Sequence, residues 1–329
     1  MIITQTPVRI SFLGGGTDYP DYLREHGGVT LVTTINKYTI VSVHRITQFL
    51  NHNIRVHYSR VEAVRQVDEI DHPSARECLR FLGIEEGIEI HYVSDLPART
   101  GLGSSSSATV GLLHALHAFK GEMVRREQLA EEARYVEQEL IKERVGNQDQ
   151  YACALGGFLH LEFRSDGEVR VNPLVISQER LQALEQRLVL FYTKLQRRAH
   201  EVLDEQMHRT QLGENDEILK KMAGLVAEGI EVLTNSRDLS EFGELLHEGW
   251  LLKRRLSCKV TTPWIDGLYE RARRAGAVGG KLLGAGGGGF LLFYVEPYNR
   301  DRLRESLPEL NQAEFSFENS GSQIIFYRP

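Results

Sequence analysis

The sequence holds little that would tie it to an oxidising compartment, a membrane or a nucleic acid. Its three cysteines, Cys78, Cys153 and Cys258, are odd in number and far apart. That excludes a disulfide framework and gives no metal-binding spacing, so reduced thiols and a cytoplasmic setting are expected. No apolar run reaches the roughly 20 residues of a membrane span. The N-terminus has no signal-peptide pattern, because Met1-Ile2-Ile3-Thr4 enters a strand directly. Basic residues do not dominate: 39 Lys and Arg against 45 Asp and Glu leave a net charge of −6. Such a balance argues against a nucleic-acid partner, whose phosphates demand a basic surface. The run Lys253-Arg254-Arg255 lies in a helical pattern among acidic neighbours and is expected to be a solvated face. Also missing are G-x-x-x-x-G-K-[ST] and the catalytic-loop and D-F-G signatures, which excludes P-loop and protein-kinase readings. There is no internal repeat and no low-complexity tail.

What is present is a chain of 329 residues, 41% apolar and 26% charged, of globular composition and too long for one usual core. Ile3 to Leu13 reads as a strand, with Pro7 marking an edge or bend. Thr30 to Arg45 reads as paired strands broken near Asn36-Lys37, and Ile54–Tyr58 and Ile88–Val93 as further strands. A helix is expected over His72–Leu82 and an apolar one over Ala108–Phe119. The spacing of Leu129, Ala133, Val136, Leu140 and Ile141 predicts an amphipathic helix over Glu127–Val145, ending at Gly146. Phe158–Phe163 is a strand, followed by a turn at Ser165-Asp166-Gly167. Beyond about Pro173 the pattern turns helical: Ala199–Arg209, Asp216–Leu233, Ser240–Ser257 and a helix starting at Pro263. Strands are expected at Leu188–Tyr192, Phe290–Val295, Ala313–Phe317 and Gln323–Phe326, with a short helix from about Arg300. A strand-rich first half and a helix-rich second half imply an α+β protein of two domains, meeting near residues 170–187.

Chemistry concentrates in three glycine-rich stretches. The first is Leu96-Pro97-Ala98-Arg99-Thr100-Gly101-Leu102-Gly103 followed by Ser104-Ser105-Ser106-Ser107-Ala108. Gly101 and Gly103 let backbone N–H groups turn inward, and a helix opening at the serines offers unpaired donors and a positive dipole end. Running straight into the apolar Val110–Leu116, the loop is pinned to the core and reads as a phosphate cradle rather than a linker. The second stretch is Arg9 with Gly14-Gly15-Gly16-Thr17-Asp18-Tyr19, a turn with polar side chains for a ligand. The third is Lys281 to Gly289. Its Gly284-x-Gly286-x-x-Gly289 matches the dinucleotide fingerprint formally, but it leads into a strand instead of a helix, so that reading fails.

In order and spacing, these three stretches resemble motifs one, two and three of the GHMP small-molecule kinases. The details Thr6–Asp18, Asn36-Lys37-Tyr38, Gly146-Asn147-Gln148-Asp149-Gln150-Tyr151 and the four-serine loop are most similar to the bacterial heptose 7-phosphate kinases within that family. The resemblance implies an N-terminal α/β domain over 1–180 and a C-terminal ferredoxin-like α/β sandwich over 181–329, with the active site in the cleft between them. It implies ATP and Mg²⁺ as cofactors, a sugar phosphate as substrate, and leaves a homodimer open. The reaction implied is phosphorylation of the anomeric hydroxyl of D-glycero-D-manno-heptose 7-phosphate. Another sugar 1-kinase, a non-catalytic sugar sensor and an ATP-dependent decarboxylase are the rivals. Galactokinases carry Glu-His where Gly15-Gly16 stand, which disfavours galactose.

By the same resemblance, Asp149 orients the acceptor hydroxyl and takes its proton late, and Arg9 meets the γ-phosphate or pairs with Asp149. Gly101, Leu102, Gly103, Ser104, Ser105, Ser106 and Ser107 hold the nucleotide. Ser105 and Glu137 hold Mg²⁺, with Ser104, Ser106 and Glu139 as fallbacks. Gly14, Gly15, Gly16, Thr17 and Asp18 hold the sugar, and Gly286 and Gly287 approach substrate or nucleotide. Lys37, Arg197 with Arg198, and the nest of Gly14–Gly16 are the candidates for the substrate's distal phosphate.

Overall fold

A computed structural model describes residues 1–46, 52–98, 100–195 and 199–328. In chain order the elements are β1 (Ile2–Leu13), α1 (Pro20–His26), β2 (Gly28–Arg45), β3 (Ile54–His57), β4 (Val61–Val64), α2 (Pro73–Phe81), β5 (Ile88–Ser94), α3 (Ser104–Lys120), α4 (Arg126–Tyr135), α5 (Gln148–Leu155), β6 (Phe158–Phe163), β7 (Val169–Pro173), α6 (Gln178–Glu185), β8 (Leu188–Tyr192), α7 (Ala199–Gln211), α8 (Asp216–Thr234), α9 (Ser240–Lys253), α10 (Pro263–Arg274), β9 (Ala277–Leu282), β10 (Phe290–Val295), α11 (Arg300–Ser306), β11 (Asn311–Ala313), β12 (Phe317–Glu318) and β13 (Gln323–Tyr327).

Two sheets result. The first runs β13-β1-β2-β5-β3-β4, with β6 and β12 also on β2 and β7 on β6; the second runs β11-β8-β10-β9. Among β8, β9, β10 and β11, the order fourth-first-third-second with all neighbours antiparallel is the expected ferredoxin-like arrangement. The chain's last strands return to the first sheet, β12 beside β2 and β13 beside β1. One core lies between the first sheet and helices α2 to α5, a second joins the two sheets through α8 and α9, and a third lies outside the second sheet under α10 and α11.

Three local expectations are corrected. Thr30–Arg45 is not a broken pair but part of one 18-residue strand. The register with β1 jumps from Pro7↔Tyr38 to Val8↔Ile35, so Asn36 and Lys37 bulge out opposite the proline that cannot donate to the ladder. The helix expected over Glu127–Val145 stops sooner: α4 passes into a π-helical turn over Val136–Leu140, and Lys142 at φ 61° takes the chain out of the helix. Asn147–Tyr151, polar and beyond the helix end expected at Gly146, contains the start of α5. Its polar residues face buried acids rather than water, which hydrophobic periodicity cannot register.

Candidate active site

The serine loop is clamped from both sides. Arg9 on β1 donates its backbone N–H to Leu102 O at 2.9 Å, and Phe290 at the start of β10 donates to Thr100 O at 3.2 Å. The two glycine loops touch directly. A Cβ on Gly284 (φ +70°) would stand 2.3 Å from Gly101 Cα, and one on Gly101 (φ +84°) 2.5 Å from Leu283 O, so neither position has room for a side chain. Gly103, at φ 74°, is the residue before the first turn of α3, so the serines lie inside the helix rather than capping it. The N–H groups of Ser104, Ser105 and Ser106 belong to the first turn, whose donors have no partner within the helix, while that of Ser107 already returns to Gly103 O at 2.9 Å. The third glycine stretch thus supports the serine loop. Gly286 is packed on Val260 O, and Gly287 gives its N–H to that same carbonyl at 2.9 Å.

Beside this loop, three successive residues of α5 each reach a different charged side chain: Gln148 meets Asp18, Asp149 meets Arg9 and Gln150 meets Glu137. Helical positions are about 100° apart, so neighbours in the first turn fan outward. Asp149 accepts Arg9 Nε at 2.7 Å and Nη2 at 2.8 Å, a bidentate pair in which the Arg9 side chain is 5% exposed and that of Asp149 23%. The remaining Arg9 nitrogen, Nη1, donates to Gly101 O at 2.7 Å. Each of the three guanidinium nitrogens thus makes one hydrogen bond, and the carboxylate in front of it is the more open partner. Gln148 gives Asp18 Oδ2 its backbone N–H at 3.2 Å and its Nε2 at 3.1 Å, while Gly16 N–H reaches Asp18 Oδ1 at 3.0 Å. Asp18 is fully buried; burial, then the charge of Asp149, pushes its carboxyl above the ordinary range, against the pull of those N–H donors. Gln150 Nε2 donates to Glu137 Oε2 at 2.5 Å.

Glu137 sits in the π turn with no exposure, a helix irregularity of the kind that collects at functional sites. Ser106 Oγ donates to its Oε2 at 2.8 Å, and Oε1 is buried with no hydrogen-bond partner. Burial pushes this carboxyl up to about 7, although Gln150 and Ser106 pull the other way. An orphaned carboxylate oxygen beside a hydroxyl is a hard oxygen donor set and fits Mg²⁺. The serine that meets Glu137 is Ser106 rather than the expected Ser105, whose side chain points outward one position earlier on α3. Ser107 is turned to Thr6 O at 2.9 Å.

Other expected residues fall in different places. Thr17 Oγ1 donates to Gly14 O and Val29 O and accepts Val29 N–H, so its hydroxyl locks the turn. Gly14 is required by packing, since a Cβ there would lie 2.0 Å from Val29 O. Lys37, on the β2 bulge, is six residues beyond Leu31, the partner of Leu13. At about 3.3 Å per residue that is roughly 20 Å from Gly14–Gly16, so the structure does not join these two phosphate candidates. Arg197 and Arg198 lie outside the described residues.

Sequence reasoning also missed two lysines. Lys253, expected on a solvated face, is buried and its Nζ donates to Leu282 O at 2.8 Å and Gly284 O at 2.5 Å. Lys281 Nζ donates to Phe12 O at 2.8 Å; burial and then Arg9 push it down to about 7, with Asp18 pulling back. The signal for Lys253 was available. It follows Phe242, Leu246 and Trp250, all fully buried, at helical spacing on the inner face of α9.

The comparisons with known proteins bear on the family and the fold. The models of the GHMP kinases N terminal domain and of the GHMP kinases C terminal match residues 70–157 and 227–313. The chain is 30% identical to the D-glycero-alpha-D-manno-heptose 7-phosphate kinase of Campylobacter jejuni, over 97% of both chains. In fold it is similar to a D-glycero-D-manno-heptose 1-phosphate kinase of Bacteroides thetaiotaomicron, with TM-score 0.80 and 23% identity over the full length of both. It is also similar to the Lactococcus lactis galactokinase solved with galactose, with TM-score 0.75 and 19% identity over 98% of this chain and 94% of that one. With this likeness spanning the chain, and the three glycine stretches assembled around Arg9, Asp149 and Glu137, the protein belongs to the GHMP kinases, ATP-dependent small-molecule kinases.

Proposed function

We propose that this sugar kinase phosphorylates the anomeric hydroxyl of D-glycero-D-manno-heptose 7-phosphate, giving the 1,7-bisphosphate. The observation that carries the catalytic part is the Arg9–Asp149 pair at the mouth of the serine loop. Arg9, itself held by Gly101 O, fixes the carboxylate in one orientation through two hydrogen bonds and leaves it partly exposed. Asp149 is then placed to orient the acceptor hydroxyl and receive its proton, in a reaction governed mainly by positioning and charge stabilisation. The N–H groups at the start of α3 face the nucleotide's phosphates. Glu137 and Ser106 are the residues that would hold Mg²⁺, which neutralises phosphate charge when bound. Asp18, held by Gln148 and Gly16, shapes the sugar side. The choice of heptose 7-phosphate rests on the Campylobacter relative's substrate together with the sequence details it shares with that group. In this reading residues 1–180 and 181–329 are the two domains, with the last strands crossing back.

A hexose or deoxyhexose 1-kinase is the second reading, favoured by the separation of Lys37 from Gly14–Gly16, which keeps these two candidates from forming one clamp for a distal phosphate. Coupled ADP release over hexoses, heptoses and their phosphates, with a phosphorus spectrum of the product, decides between them. The first reading expects kcat/KM for the 7-phosphate to exceed that for the free heptose by about ten- to a hundredfold, the worth of a charge-assisted contact. Equal rates for the two compounds would overturn it in favour of the second.

A further inference from the structure

The first sheet carries another cluster of metal-ligating side chains on the face opposite α3. There β2, β5 and β3 run side by side, and their registers set His44 against Glu89 and His57 against His91. Side chains alternate along a strand. Val43, Val56, Ile88 and Ile90 enter the core beneath α3, so His44, His57, Glu89 and His91 share the outer face. Glu89 is the centre. His91 Nε2 and His57 Nε2 both stand 2.9 Å from its Oε1, and His44 Nε2 stands 3.5 Å from its Oε2. The Glu89 side chain is 10% exposed. His44 Nδ1 is buried without a hydrogen-bond partner, and so is His57 Nε2, whose close approach to Glu89 Oε1 lacks hydrogen-bond geometry.

We propose that His44, Glu89 and His91, with His57 as fourth donor, form a binding site for a divalent transition-metal ion of the zinc type. The donor set names the ion. Three imidazoles and one carboxylate suit Zn²⁺ and its neighbours, whereas Mg²⁺ and Ca²⁺ require oxygen, so this site is separate from the one at Glu137. Spacing agrees as well. Donors about 2.0–2.2 Å from a tetrahedral ion stand roughly 3.3–3.6 Å from one another. The separations from Glu89, 2.9 and 3.5 Å, lie close to that edge, and the donor atoms of His44, Glu89 and His91 all lie within 4.8 Å of one another. Small ring rotations close the set. His57 lies stacked on His91, centroids 4.0 Å apart, and has to slide off to take the fourth position. One competitor is built in: Arg55 Nη1 is 3.4 Å from Glu89 Oε1, on a side chain 32% exposed that can turn out to solvent. An ion here would tie β3 to β5 and β2 near the β4 edge of the sheet.

The test uses the full-length protein, stripped with a chelator and titrated with Co²⁺, whose visible absorption reports four-coordinate nitrogen and oxygen ligation. The expected result is one Co²⁺ per chain, bleached by an equivalent of Zn²⁺ and untouched by Mg²⁺. The band should be lost in the His44→Ala/His91→Ala double variant and the affinity weakened at least about tenfold in Glu89→Gln. Arg55→Ala should bind more tightly, because the ion no longer competes for Glu89; a cluster that merely packs has no reason to respond that way. Turnover with Mg²⁺ and ATP should stay unchanged in all of them. Absence of the band, or its survival in the double variant, overturns the proposal. Should the double variant not fold, Arg55→Ala and Glu89→Gln decide alone: no tightening in the first and no weakening in the second overturns it.

Discussion

Replacing Glu137 by Gln separates the thermodynamic role of this carboxyl from the Mg²⁺-holding role proposed for it. In the wild type the side chain has no exposure, accepts from Ser106 and Gln150 through Oε2 only, and has its pKa raised from 4.5 to about 7 by burial. Glutamine keeps an oxygen for those two donors and carries N–H where the protonated acid carries O–H, so it imitates the neutral form. Between pH 4.5 and 7 the native state binds a proton that the unfolded chain has released, so stability must fall as pH rises through that window. A rise of about two and a half pKa units, at about 1.36 kcal/mol each, makes the loss roughly 3 kcal/mol. Urea denaturation of Mg²⁺-free wild type and Glu137→Gln at pH 5, 6, 7 and 8 measures it. The wild type should lose that much relative to the variant, most of it between pH 5 and 7 and little more by pH 8. The same change should sharply raise the Mg²⁺ concentration for half-maximal turnover at pH 8, while Glu139→Gln should not. A flat difference curve would refute the burial argument, and equal Mg²⁺ requirements at the two sites would refute the metal assignment.

Asp149→Asn should lower kcat about 10²–10⁴-fold while leaving ATP's KM nearly unchanged, since it sits outside the phosphate cradle; turnover within about threefold of wild type removes it from the mechanism. Because the change leaves Arg9 short of a partner, a melting curve must accompany the kinetics, with a loss of about 3–5 kcal/mol as the upper limit. Ser106→Ala should raise the Mg²⁺ requirement about tenfold, the worth of a hydrogen bond to a charged group, and Ser105→Ala should do much less. The reverse order would return the metal to Ser105. Gly284→Ala, with its Cβ 2.3 Å from Gly101 Cα, should destabilise by about 1–3 kcal/mol from overpacking and raise ATP's KM by displacing the serine loop. An unchanged KM would show that the two glycine loops are not mechanically joined.

The sequence alone determined the elements whose pattern is local. The strand over Ile3–Leu13, the apolar helix after the serines, and the three glycine stretches were legible because backbone freedom and hydrophobic period are properties of neighbours in the chain. They carried the fold family as well, since the spacing of the three stretches is itself a feature of the sequence. Tertiary structure decided what depends on a partner far away. Asn147–Tyr151 is polar and lies beyond the helix end expected at Gly146, yet it becomes a helix because Gln148 and Gln150 satisfy Asp18 and Glu137, acids more than ten residues distant. Which serine meets Glu137 turned on a rotation of about 100° between Ser105 and Ser106 on α3, and depends on Glu137 arriving from the π turn. Lys253 looked solvated because its neighbours are charged. It is buried because the tip of α9 reaches the glycine loop, whose carbonyls at Leu282 and Gly284 take its protons' hydrogen bonds. Polar side chains report their surroundings only through those surroundings, and a chain read in one dimension does not contain them.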